Sequence, residues 1–282
     1  MPVESVARLR SVDLLGVPVA AATAAEALAA IRRLGENGTP ASVFYANAHS
    51  LTLAADDRRY GEVLRGASLV LNDGSGVAIA ARAQGVRFPE NLNGTDFTPR
   101  LLAMAAEEGW KVFFLGGRPG VAERAAARLA DAIPGLRIAG THHGYLPDGG
   151  DAHMAARIAA TGADVVVVAM GNPKQEEWIA AHGPATGARL AVAVGAFLDF
   201  AAGEVPRAPA WMNRWGVEWL FRLRCEPRRL WRRYLVGNPV FLSRVAADWA
   251  RRRRSGTARP APAWSTGSTA TEANGSSLER SA

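Results

Sequence analysis

Six short apolar runs, at 42–47, 68–72, 111–116, 136–139, 164–170 and 190–195, recur along this 282-residue chain. Between them lie alanine-rich stretches with helical spacing, at 24–33, 76–84, 96–106, 121–132, 152–160 and 174–181. Runs such as Val165-Val166-Val167-Val168 carry no polar alternation, so a strand built from them must be covered on both faces. Continuous apolar strands alternating with helices predict an α/β architecture, a Rossmann-like and mostly parallel sheet with helices on both faces. In such sheets ligands sit beyond the carboxyl ends of the strands, so the loops that follow the runs are the ones to read for chemistry. None of the runs approaches the roughly 20 apolar residues needed to cross a bilayer.

The run 68–72 ends in Asn72-Asp73-Gly74-Ser75-Gly76. An Asp-Gly pair at this place reads first as an ordinary turn; the functional alternative is a general base at the mouth of the sheet, where glycines let a substrate approach. The run 111–116 leads through Gly116, Gly117, Arg118, Pro119 and Gly120 into a helix, either a tight turn or a phosphate cradle at a helix N-terminus. After 164–170 comes Gly171-Asn172-Pro173-Lys174-Gln175-Glu176-Glu177. Here Lys174 and Gln175 suit hydroxyls or phosphates, and the alternative is a solvated first turn whose Glu176 and Glu177 favour the helix dipole. Asn47 and His49 follow the first run, and Gly195 to Phe200 follow the last, closing one wall of the expected pocket.

The pattern breaks after Glu204. Residues 206–254 hold thirteen arginines against Glu218, Glu226 and Asp248, interleaved with Trp211, Trp215, Trp219, Trp231 and Trp249. The whole chain carries a net charge of +7 and the last stretch is balanced, so residues 1–205 are mildly acidic. Trp211, Trp215 and Trp219 at helical spacing predict a helix over 211–224. Pro227 suits the first turn of a second helix ending at Gly237-Asn238-Pro239, and a third runs from about 241 to 252. Residues 255–282, dominated by Ser, Thr, Gly, Ala and Pro, read as a disordered tail. The expected organisation is therefore an α/β domain at 1–205, an Arg- and Trp-rich helical appendage at 206–254, and a tail at 255–282. A basic, tryptophan-bearing module points to a polyanionic partner, a membrane surface or a nucleic acid.

A single cysteine, Cys225, excludes an internal disulfide and a Cys-rich metal site, and a reducing cytoplasm is the simplest setting. Residues 1–19 show scattered charge without a compact apolar core and cleavage site, so no secretory signal is expected. There is no Gly-x-Ser-x-Gly elbow, no P-loop and no His-Glu-x-x-His. His142 and His143 are adjacent and project in different directions, a poor start for a metal site. Asp-x-Asp is absent; an enzyme holding a sugar-nucleotide diphosphate through a divalent ion commonly has such a pair, so arginines are expected to neutralise the leaving group instead. Neither a metal nor a cofactor is expected. A nucleotide-binding oxidoreductase is disfavoured because no complete Gly-x-Gly-x-x-Gly with a matched acidic residue occurs.

Taken in order, Asn47, Asn72-Asp73-Gly74, Asn93-Gly94-Thr95-Asp96, Phe114-Leu115-Gly116-Gly117, Gly171-Asn172-Pro173-Lys174-Gln175-Glu176, Gly195-Ala196-Phe197 and Arg214-x-Gly216-x-Glu218-Trp219-x-x-Arg222-x-x-x-Glu226-Pro227-Arg228-Arg229 resemble the WecG/TagA/CpsF glycosyltransferases over about residues 13–249. The resemblance implies transfer of a sugar, typically N-acetylmannosamine, from a UDP-sugar to a polyprenyl-diphosphate-linked sugar at the inner membrane face, with inversion and without a metal. It places the general base at Asp73. Contacts to donor or acceptor fall on Asn47, Asn93, Asp96, Gly116, Gly117, Asn172, Lys174 and Gln175, and diphosphate contacts on Arg222, Arg229 and Arg232. Two positions depart from the family's pattern: Asn91 stands where an arginine is usual, and Tyr45 where a threonine is usual. The implied partners are the UDP-sugar, the lipid-linked acceptor and an anionic membrane surface, with association into a homo-oligomer left open. The competing reading is a nucleic-acid-binding module, with Arg228, Arg229, Arg232 and Arg233 on phosphates and Trp231 on a base.

Overall fold

The computed structural model describes residues 9–209, 212, 218–225 and 227–254. A two-stranded antiparallel hairpin, β1 (Ser11–Leu14) and β2 (Val17–Ala20), precedes the main sheet. The main sheet contains β3 (Ala41–Ala46), β4 (Leu69–Asn72), β5 (Lys111–Gly116), β6 (Arg137–His142), β7 (Val165–Ala169) and β8 (Leu190–Ala193) in the order β4-β3-β8-β7-β5-β6. Every neighbouring pair is parallel, so all six carboxyl ends lie along one edge. These are the six apolar runs of the sequence, β6 extending three residues further than its run.

The absence of alternation is explained by two cores. On β7, Val165, Val167 and Ala169 join one apolar cluster, while Val166 and Val168 join the other. The period-two geometry of a strand sends successive side chains to opposite faces, and here both faces are dry. The first face is covered by α1 (Ala24–Glu36), α5 (Gly94–Glu107), α6 (Val121–Ala132) and α9 (Phe197–Ala202). The second is covered by α2 (Ala48–Asp56), α3 (Arg58–Arg65), α4 (Ser75–Ala83), α7 (Gly150–Thr161) and α8 (Lys174–His182), together with the hairpin. Helices α2, α3 and α9 are additions to the six helices expected from spacing.

The C-terminal region corrects one expectation. After α10 (Glu218–Cys225) and α11 (Pro227–Trp231), the chain does not stop at Gly237-Asn238-Pro239. A π turn over Arg232–Val236 leads directly into α12 (Gly237–Arg254). Proline has no N–H and its ring collides with the preceding turn of an α-helix; the wider π turn, in which Gly237 N–H reaches back to the Arg232 carbonyl, carries the helical path past Pro239. Helix α12 packs on α2 and α4, burying Phe241 and Val245 in the second core. Arg244 pairs with Asp56 at 2.7 Å, and Arg252 joins Asp13 of the hairpin to Asp248. Among the described residues no helix is long and apolar enough to cross a membrane. The start of the expected 211–224 helix, and the tail from 255, lie outside the described residues.

Candidate active site

A cavity of about 1300 Å³ opens at the carboxyl ends of the strands. Its lining includes Asn47, His49, Asp73, Asn93, Asp96, Gly117, Asn172, Lys174, Gln175 and Arg232 of the residues singled out in the sequence, together with Tyr45 and Asn91. Gly116 stands behind the wall rather than on it. Its φ of 148° and the 2.3 Å that would separate a Cβ from the Ala169 carbonyl oxygen show why no side chain fits there. The side chains of Arg222 and Arg229 lie outside the described part of the structure.

Asp73 follows β4 directly, half-buried. Its carboxylate accepts a hydrogen bond from Asn47 Nδ2 at 3.3 Å. Asn47 is itself fixed as the N-cap of α2, where its Oδ1 accepts from the N–H groups of His49 (3.1 Å) and Ser50 (3.0 Å). The β3 end thus aims a donor at the β4 end. Behind Asp73, the buried Asn72 anchors the 84–93 loop, donating to the Glu90 carbonyl at 3.0 Å and accepting from Leu92 N–H at 2.8 Å. That loop brings Asn91 Oδ1 to within 3.2 Å of Gly74 N–H, so Asn91 buttresses the turn that carries Asp73. Tyr45 is buried beneath, its hydroxyl 3.4 Å from Thr98 Oγ1, and burial holds that hydroxyl protonated well above its ordinary range.

Asn93 caps α5 through Asp96 N–H (3.0 Å) and donates to the Asp96 carboxylate (2.9 Å). The other Asp96 oxygen is engaged by Arg207. With Arg124 holding Glu204 at 2.6 Å, these pairs draw the segment after α9 across the cavity mouth, where Glu204, Val205 and Pro206 form part of the lining. Trp219, Leu230, Arg232 and Tyr234 complete the roof, the Trp219 and Tyr234 rings lying 5.8 Å apart. Arg118 and Tyr145, which the sequence did not single out as ligand contacts, also line the cavity.

The loop from β7 to α8 departs from the alternative reading given for it in the sequence. Glu176 is not part of a solvated first turn: it is 0% exposed. It accepts from Asn172 Nδ2 at 2.6 Å, Gln175 Nε2 at 2.7 Å and Tyr60 Oη at 3.3 Å. Burial pushes its carboxyl up to about 7. Gln175 is likewise buried, its oxygen receiving the N–H groups of Gly171 (3.1 Å) and Gly195 (3.0 Å). Lys174 stays exposed with Nζ 3.4 Å from the Gly144 carbonyl. The rings of His142 and His143 lie 4.2 Å apart, tilted by 40°, and neither residue is part of the lining. Among the described residues no three His, Cys, Asp or Glu side chains gather as a metal site.

The arrangement offers one carboxylate at a strand end, amide groups around it, and cations at the rim (Lys174, Arg118, Arg232), which suits a polyhydroxylated substrate carrying negative charge. Comparison with known proteins agrees. The profile of the "Glycosyl transferase WecG/TagA/CpsF family" matches residues 12–255. A Bacillus subtilis (strain 168) protein is 32% identical over 182 residues, covering 64% of this chain and 70% of its own length. A Staphylococcus aureus (strain MRSA252) protein is 30% identical over 248 residues, covering 87% and 96%. Both are named N-acetylglucosaminyldiphosphoundecaprenol N-acetyl-beta-D-mannosaminyltransferase. The chain is therefore a glycosyltransferase and belongs to the WecG/TagA/CpsF family.

Proposed function

We propose that the enzyme transfers N-acetylmannosamine from its UDP derivative to N-acetylglucosamine carried on a polyprenyl diphosphate, as the names of its relatives suggest. Asp73 takes the proton of the acceptor hydroxyl while that oxygen bonds to the anomeric carbon. The bond from that carbon to the diphosphate oxygen breaks on the opposite side, UDP leaves with the electron pair, and the configuration inverts. Arg232 and Lys174, with Arg222 and Arg229 as the family resemblance implies, neutralise the departing diphosphate without a metal ion. The observation that carries this reading is the half-buried Asp73 carboxylate, held by Asn47 inside the cavity at the carboxyl edge of the sheet.

The appendage at 206–254 completes the cavity and meets the membrane on the cytoplasmic face, where the lipid-linked acceptor is presented. Support comes from Leu220, Trp231, Leu235 and Val236, which are exposed apolar residues beside the exposed Arg224, Arg228 and Arg232. Aliphatic and indole groups suit the boundary between headgroups and acyl chains, and each nearby cation adds about 1 kcal/mol at an anionic surface. Nucleic acid would leave the aliphatic groups without a counterpart. The deciding experiment follows UDP release from UDP-N-acetylmannosamine with a polyprenyl-diphosphate-N-acetylglucosamine acceptor in anionic vesicles, with and without a chelator. Acceptor-dependent, chelator-resistant release is expected. Release that needs a divalent ion overturns the arginine mechanism, and no transfer to this acceptor overturns the substrate assignment.

A further inference from the structure

Glu176 does not line the cavity, yet both amides that do so beside it, Asn172 and Gln175, turn toward it. An amide has a donor end and an acceptor end of nearly equal size, and a half-turn exchanges them at little steric cost. Glu176 Oε1 removes that freedom, because it accepts from Asn172 Nδ2 and Gln175 Nε2 at 2.6 and 2.7 Å. Its Oε2 faces the Tyr60 hydroxyl at 3.3 Å. The proton of the neutral acid can therefore sit on Oε2, and Oε1 remains an acceptor in either protonation state. With both NH₂ groups turned to Glu176, that of Asn172 also beside the Tyr60 hydroxyl, the Gln175 oxygen takes Gly171 and Gly195 N–H, and the Asn172 oxygen is left for the cavity.

We propose that Glu176 is a positioning residue that orients Asn172 with its oxygen toward the bound sugar nucleotide, as acceptor for a sugar hydroxyl or amide N–H. This rests on the sugar-nucleotide reading of the cavity. Glu176→Gln keeps an oxygen at Oε1 and a donor toward Tyr60, so KM for UDP-N-acetylmannosamine stays within about threefold of wild type. Glu176→Met keeps the volume but offers no acceptor, so the amide reorients and KM rises about tenfold, the scale of one lost hydrogen bond, while kcat per folded enzyme holds. Asn172→Ala gives a similar rise, and the double variant Glu176→Met/Asn172→Ala goes no further, because both changes remove one interaction.

A carboxyl that only supports the fold would lower the melting temperature and the folded fraction, leaving KM untouched. Unchanged KM in Glu176→Met, or full additivity in the double variant, overturns the proposal. Should Glu176→Met fail to fold, Asn172→Asp carries the test by setting acceptor against acceptor. Its KM is expected to be raised at about pH 8 and to recover at about pH 5.5, where the two carboxyls share a proton; a ratio to wild type that ignores pH overturns the proposal. The other titratable groups nearby are Tyr60, whose hydroxyl burial and the Glu176 charge hold neutral, and Glu177 on the same turn of α8. Failure of the wild-type enzyme to use this donor would count against the sugar-nucleotide reading instead.

Discussion

At the scale of single residues, Asp73 and Glu176 are two carboxyls with opposite legibility. Asp73→Asn is expected to lower kcat by about 100- to 10,000-fold while UDP binding stays near normal, measured by single-turnover transfer and calorimetry; near-normal turnover would remove Asp73 from the mechanism. The place of Asp73 at the cavity was readable because a short strand and the rule for parallel sheets converge on it, while its role as base was implied only by the family resemblance. The place of Glu176 was not readable, because a carboxylate in a first helical turn ordinarily faces water, and its partner Tyr60 lies 116 residues away on a helix the periodicity did not announce. Its burial has a thermodynamic signature. With a folded value of about 7 against an ordinary 4.5, the unfolded chain releases this proton first as pH rises, so stability falls across that interval and is lowest above it. The melting temperature of Glu176→Gln should therefore gain on wild type between about pH 5 and pH 8. A constant difference would mean that Glu176 titrates normally.

Elements tell a similar story about local signals. Five of the main-sheet strands stood out because they are buried on both faces, the edge strand β6 being only partly buried, whereas the β1–β2 hairpin did not, because its turn is Leu15-Gly16 with Leu15 at φ 55°. Asn-Gly or Asp-Gly is the usual signature of such a turn, and leucine rarely adopts a left-handed backbone. Helices α2 and α3 were hidden by Asp56-Asp57-Arg58-Arg59, which reads as a polar loop. In fact Asp57 ends one helix and caps the next, accepting from Arg59 and Tyr60 N–H. For α12, packing outweighs charge. Phe241→Ala, at a fully buried position, should cost about 3–5 kcal/mol in denaturant unfolding. Arg252→Ala, whose ion pairs are partly exposed, should cost no more than about 1 kcal/mol. The reverse ranking would show that the hairpin latch, not the apolar contact, seats this helix.

For the whole molecule, α12 ties the appendage to the body more closely than the change in composition after Glu204 suggested. Ending the chain after Pro209 removes Phe241 and Val245 from the second core along with the cavity roof, so the truncated protein should melt earlier as well as lose transfer. Ending it after Arg254 should leave both properties near wild type. If the proposed membrane contact is made here, it should be separable from catalysis, because Leu235 and Val236 are exposed and do not line the cavity. Leu235→Asn/Val236→Asn should weaken partition onto anionic vesicles by about tenfold or more, judged by co-sedimentation. Activity on a water-soluble short-chain acceptor should persist; if binding to vesicles is unaffected, the docking surface lies elsewhere. Finally, the single oxygen of Gln175 that staples Gly171 to Gly195 braces the tips of two adjacent strands. A floor stapled in this way cannot widen for a bulkier hexose without breaking a buried amide contact. Adaptation to new sugars, whether in evolution or in the laboratory, should therefore proceed by exchange of roof side chains such as Trp219, Leu230 and Tyr234 rather than by change at the strand ends.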